Sequence, residues 1–155
     1  MTVSAAGPIL PARSSADALD ALRDCGLRAS SARRIVLEEL FAADGPVSAE
    51  RLADGLGGRF TRSDLASVYR NLETLEEHGL VRHFHVGHGP GLYAPADAEH
   101  EYLACEACGA VRTLESRELN EVRDYLRLRF GFAAGFGHFP VVGRCASCAP
   151  EEGDR

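Results

Sequence analysis

The sequence predicts an α+β chain of two small domains. Helices closed by a β-hairpin come first, and a mixed α/β domain with four paired cysteines follows. Three observations carry this reading. Between Ser15 and Gly79, four segments place apolar residues at helical spacing behind polar caps. Directly after them, the turn Gly87-His88-Gly89-Pro90-Gly91 separates two β-like runs. Two Cys-x-x-Cys pairs, Cys105/Cys108 and Cys145/Cys148, then flank one further amphipathic helix.

The elements follow in order. Ser15 caps a first helix with Leu19 and Leu22 on one face, and Gly26 ends it. Ser30 caps a second helix that runs to Phe41 with Ile35, Val36, Leu37 and Leu40. After the Gly45-Pro46 break, Ser48 caps a third, with Val47 and Leu52 as a hydrophobic staple and Gly55, Gly57 and Gly58 as its stop. The fourth helix opens on a capping box at Thr61-x-x-Asp64. It carries Leu65, Val68, Leu72 and Leu75 as its inner stripe, with Ser67, Arg70 and Thr74 opposite. A hairpin of Leu80–Val86 and Leu92-Tyr93 follows. Helices leading straight into a hairpin make a winged helix-turn-helix domain, with the fourth helix in the recognition position. Beyond it, two strands lie within Tyr102–Leu114, a helix covers Glu118–Phe130 with Leu119, Val122, Leu126 and Phe130 inward, and a strand over His138–Val142 feeds the last cysteine pair. The expected division is a loose tail over 1–16, the winged-helix domain over 17–94, a hinge over 95–98, the second domain over 99–149 and a charged tail over 150–155.

Composition narrows the function classes. The chain has 155 residues, 45% apolar, and a formal net charge of −6, which does not favour nucleic acid, so DNA binding has to rest on local patches. All 17 basic residues are arginine, a residue suited to bidentate contact with phosphate or guanine, although genome composition accounts for the bias equally well. No apolar run reaches membrane-spanning length and the start lacks the pattern of a secretory signal, so a cytoplasmic protein without a membrane partner is expected. In that compartment paired cysteines bind metal more often than they form disulfides.

A two-residue gap lets both sulfurs of one turn face one ion. Cys105, Cys108, Cys145 and Cys148 therefore predict a closed, tetrahedral, structural zinc site. Disulfides, or a redox switch that releases zinc on oxidation, are the rival readings. Cys25, inside the first helix, is expected to be a buried small hydrophobe. A second, regulatory divalent metal is expected near the domain boundary. His83 and His85 share a strand face, Glu99, His100 and Glu101 enter the second domain, and His138 starts the last strand. Ligands drawn from both domains would let the metal select one domain orientation, while solvated hinge residues are the plain alternative. His88 is expected to be a turn residue.

These residues resemble the ferric uptake regulator family. Gly26-Leu27-Arg28-Ala29-Ser30-Ser31-Ala32-Arg33 is similar to that family's entry into its second helix, where Thr-Pro is usual at the Ser30-Ser31 position. Ser67-Val68-Tyr69-Arg70-Asn71-Leu72 is similar to its recognition-helix core. Leu80-Val81 followed by Gly91-Leu92-Tyr93 matches its wing. His100 through Cys105-x-x-Cys108-Gly109, then Gly143-x-Cys145-x-x-Cys148, match its dimerisation domain. The resemblance spans roughly residues 17 to 149 and implies a homodimer that represses metal-uptake or stress genes on a palindromic double-stranded operator when metal is bound. It implies DNA contacts by Tyr69 and Arg70, a minor-groove contact by Arg28, and metal ligation by Glu99, His100, Glu101 and His138. This chain departs from the family at Tyr102, where a ligand histidine is common, at Ala94, where an acidic or cysteine ligand is usual, and at Asn120, where a glutamate is usual. His83-x-His85-x-x-His88 with His138-Phe139 is similar to the nickel-responsive branch, which places nickel or zinc ahead of iron or manganese.

Ser67, Arg70 and Thr74 can face the major groove, and Arg28 and Arg33 flank the second helix where phosphates would lie. A peroxide- or redox-sensing regulator on the same scaffold is the main alternative. A small zinc hydrolase using His83, His85 and His138 with Glu101 as base, and a pure protein-interaction module, are the remoter ones.

Overall fold

The computed structural model describes residues 10, 12–97 and 99–149. The rest of the expected N-terminal tail, Ala98 of the expected hinge and the expected tail over 150–155 lie outside the described residues. The described residues form two compact units. One takes the chain up to His83 together with Gly91–Asp97, and the other takes Phe84–Pro90 together with the chain beyond Asp97. The hairpin tip, expected in the first domain, belongs to the second unit, where the Phe84 ring lies 5.5 Å from that of Tyr102.

The first unit begins with α1 (Ser15–Asp24), capped by Ser14 rather than Ser15: the Ser14 hydroxyl oxygen accepts the Asp17 N–H at 3.1 Å. Cys25 is the C-terminal cap residue of α1 and exposed, not a buried hydrophobe. Leu10 and Ala12, expected in a loose tail, pack on the core. α2 (Ser31–Ala42) starts at its expected cap, Ser30. A two-residue strand β1 (Val47–Ser48) precedes α3 (Ala49–Ala53), which Ser48 caps as expected. The sequence pattern did not show β1, which pairs Val47 with Tyr93 and Ser48 with Leu92.

α4 (Gly55–Gly58) is a single irregular turn. Gly55 has φ +71°, and a side chain there would collide with the Phe60 carbonyl, so only glycine closes the turn. The turn leads to α5 (Leu65–Glu77), whose cap is Asp64, accepting the Ser67 N–H at 2.9 Å. The expected Thr61 box therefore lies one turn too early. Val68, Leu72 and Leu75 are buried on its inner stripe, while Leu65, in the first turn, stays 39% exposed. β2 (Val81–His85) and β3 (Gly91–Pro95) complete a sheet of order β1-β3-β2.

The second unit is built on β4 (His100–Cys105), flanked by antiparallel β5 (Val111–Glu115) and parallel β6 (Val141–Gly143). His138 lies before β6 instead of starting it. The 3₁₀ turn η1 (Ser116–Leu119) runs into α6 (Asn120–Phe130). Of the four side chains expected inward here, Leu119 is buried and Leu126 half-buried. Val122 and Phe130 face outward at 44% and 65% exposure. The periodicity was legible, but nothing among the described residues covers that face.

Candidate metal centre and nucleic-acid interface

The four cysteines are assembled by the β4–β6 pairing. Parallel register sets Cys105 beside Gly143, so the loop after β6 brings Cys145 and Cys148 to the turn after β4. Gly109, at φ +74°, closes that turn with its N–H on the Cys105 carbonyl at 2.9 Å. The Cys148 N–H reaches the Cys145 carbonyl at 2.8 Å in the second turn. All four sulfurs lie within 4.8 Å of one another, and those of Cys108 and Cys145 are 3.9 Å apart. Sulfurs about 2.3 Å from a tetrahedral zinc ion stand about 3.8 Å apart, so the cluster has the dimensions that ion needs.

The electrostatics also call for a cation. The Cys145 N–H, 3.4 Å from the Cys105 sulfur, and then the Cys108 N–H hold the Cys105 thiol down to about 6. Cys148 is pushed up to about 12, first by its hydrogen bond to Cys145, then by that to Cys108. One thiolate is stabilised by backbone dipoles and the next is opposed by its neighbours. A full set of four thiolates needs positive charge among them.

The expected regulatory ligands fall in both units. In the first unit, His83 Nδ1 meets Glu76 Oε1 at 2.5 Å, and its ring stacks on Tyr93 with centroids 5.5 Å apart. In the second unit, His85 is exposed, with Nδ1 donating to the Gly89 carbonyl at 3.3 Å. His100 sits on β4 opposite Glu115, and His138 meets the Phe139 ring edge-on at 4.3 Å. Glu101 is buried and ion-paired with Arg123. Among the described residues of the second unit, His85, His100, Glu101 and His138 do not converge into another three-ligand group. Sequence reasoning missed Glu76 and Arg123. Each is brought to its partner by a different element, at separations of 7 and 22 residues, so no local motif marks them.

On α5, the expected DNA-facing residues are all accessible to some degree, but not equally free. Arg70 is exposed, and its guanidinium has no hydrogen-bond or ion-pair partner among the described residues. The Tyr69 hydroxyl, on a ring 40% exposed, donates to Glu50 Oε1 of α3 at 2.9 Å. That bond raises the Tyr69 pKa. Glu50 is lowered, first by its backbone N–H and then by Tyr69. Ser67 accepts from Asn71 Nδ2 at 3.4 Å, and the Thr74 hydroxyl donates back to the Arg70 carbonyl at 3.0 Å. Arg28 is exposed, while Arg33 Nη1 ties back to the Arg28 carbonyl at 2.7 Å. Burial, then Tyr69 and the carboxylates of Glu76, Glu50 and Glu73, push Tyr93 up to about 12, so the ground beside α5 is acidic.

The model of the ferric uptake regulator family matches residues 24–133, from the end of α1 to just past α6. The chain belongs to this family. Membership makes it a metal-responsive transcription regulator of mixed helix-and-sheet fold. It is 27% identical over 136 residues to the peroxide operon regulator of Bacillus subtilis, covering 88% of this chain and 94% of that protein. It is similar to the ferric uptake regulator of Pseudomonas aeruginosa solved with manganese, at 27% identity and TM-score 0.63, over 82% of this chain and 96% of the other. A zinc uptake regulator solved with zinc and DNA is 25% identical, with TM-score 0.53, over 86% and 91% of the two chains. Among the described residues, no helix is long and apolar enough to cross a membrane.

Proposed function

We propose that the chain is a repressor acting in the cytoplasm. It reads a palindromic operator through α5 as a homodimer, carries structural zinc on Cys105, Cys108, Cys145 and Cys148, and takes a second divalent ion as corepressor. The observation that carries this reading is the continuous family match through α5 and into the second unit. The convergent sulfurs support the zinc assignment, and a closed four-sulfur shell supplies folding energy with no open position for chemistry. The exposed apolar side chains Tyr125, Leu128 and Phe130 support a partner copy on α6. His83, His85, His100 and His138 are the candidate regulatory ligands, and an imidazole-rich set favours nickel or zinc over manganese, with iron between.

Arg70 is the leading candidate for base contact because its guanidinium is unengaged among the described residues, with Tyr69, Ser67 and Thr74 beside it and Arg28 and Arg33 on phosphates. Arg70→Ala is expected to cost about 1–3 kcal/mol of specific binding on duplexes selected by the wild-type chain from a random pool. Unchanged affinity for the selected duplex would refute this placement.

A second reading, peroxide sensing, is favoured by the Bacillus subtilis relative. It expects an iron-loaded chain to lose DNA binding after mild peroxide, with oxidation mapped to a histidine or cysteine. The corepressor reading expects the nickel- or zinc-loaded chain to keep its DNA through the same treatment.

A further inference from the structure

Outside the thiolate cluster, Glu101 on β4 is the buried charged side chain among the described residues of the second unit, at 4% exposure. Its environment is a set of oxygens gathered around one point. Arg123 of α6 occupies that point. Its Nη2 donates to Glu101 Oε1 and lies 3.3 Å from the Ser116 hydroxyl of η1. Its Nη1 donates to the Ser116 carbonyl at 2.8 Å and to Asn120 Oδ1 at 3.1 Å. The Phe136 ring covers the guanidinium at 5.3 Å. Glu101 Oε2 is buried with no hydrogen-bond partner among the described residues, so the guanidinium grips the carboxylate by one oxygen only.

A carboxylate, an amide oxygen, a carbonyl and a hydroxyl from three elements form the donor set of a hard divalent cation. We infer that Arg123 is a built-in cation seated in an oxygen-lined divalent-cation cradle, so that Glu101 is neutralised by the chain itself and is not a ligand of the regulatory ion. A divalent ion brought to Glu101 would meet the like charge of the guanidinium. It would also have to displace hydrogen bonds that tie β4, η1 and α6 together. Arginine suits this post because it stays charged and offers several donors in a fixed fork. The inference rests on the metal-responsive reading for the word "regulatory" alone, since the cradle is a property of the second unit.

The test uses the zinc-loaded full chain and manganese(II), whose free ion is counted by electron paramagnetic resonance. Arg123→Ala is expected to bind manganese about ten-fold more tightly than wild type, or to take one extra ion, while Glu101→Gln matches wild type within about two-fold. A folded Arg123→Ala with no gain overturns the inference, as does a loss of about ten-fold or more in Glu101→Gln. If Arg123→Ala does not fold, Glu101→Gln alone decides, because it keeps the shape of the site and leaves a partly solvated arginine. Uptake by Arg123→Ala with none by wild type supports the cradle and counts only against manganese as the regulatory ion, whereas no response of DNA binding to nickel or zinc would strike the corepressor reading and leave the cradle standing, so the two failures are distinguishable.

Discussion

In the first unit Leu22, Leu37, Leu52, Leu72 and Leu75 are fully buried by helices from the same chain. In the second unit α6 buries no residue, and Leu128 and Phe130 stand 82% and 65% exposed. One region closes its own core. The other is a three-stranded sheet and one helix with a smaller apolar core that includes Phe84, Tyr102, Leu114 and Leu119, supplemented by the cysteine cluster and the Arg123–Glu101 pair. Small domains that cannot bury enough apolar surface depend on a metal or a partner. The first unit closes an apolar core of its own, whereas the second leaves the apolar side chains of α6 open among the described residues.

The sharpest way to break this contrast is to remove the metal. Chelation, or Cys148→Ser, is expected to withdraw a folding contribution on the order of 10 kcal/mol from the second unit and leave the first intact. Amide hydrogen exchange would then show protection lost over β4–β6 and kept over α2 and α5. Equal protection in both units would contradict it. Leu72→Ala attacks the other side. It should cost the first unit about 2–5 kcal/mol in denaturant unfolding, with the second unit's protection unchanged.

The same contrast explains what the sequence let one see. Helical spacing located α2 and α5, and Ser30 and Ser48 were recognisable caps because capping chemistry is local. The four sulfurs were legible because each pair sits in one turn. What stayed hidden depends on chain segments meeting from afar. β1 exists only because Val47 finds Tyr93, Tyr69 finds Glu50, and Arg123 finds Glu101 across 22 residues. The outward face of α6 was misassigned for the opposite reason. Its apolar period was real, but no surface among the described residues covers it.

Glu39 sharpens the account of the first unit. It follows Val36 by three residues on the inner face of α2, a spacing that predicts burial whatever the residue. Its carboxyl oxygens are buried with no hydrogen-bond partner among the described residues. Burial pushes its pKa up to about 7. The folded state therefore holds the proton more tightly than the unfolded one. Stability is greatest at or below about pH 4.5 as far as this group is concerned, and falls as pH rises to about 7, by about 3 kcal/mol in all. Glu39→Gln should flatten that slope in urea titrations across the range, and an unchanged slope would assign it to other groups. The smallest effect belongs to α6. Leu128→Ala should change unfolding of the isolated chain by less than about 0.5 kcal/mol, yet weaken self-association measured by sedimentation.

The central claim is that a second divalent ion changes how tightly this chain holds DNA. The direct measurement is the affinity of the zinc-loaded chain for its selected duplex at fixed salt, with nickel, zinc, iron or manganese added in turn or withheld. At least one of these ions is expected to tighten binding by about ten-fold or more. Equal affinity with and without every one of them would contradict it.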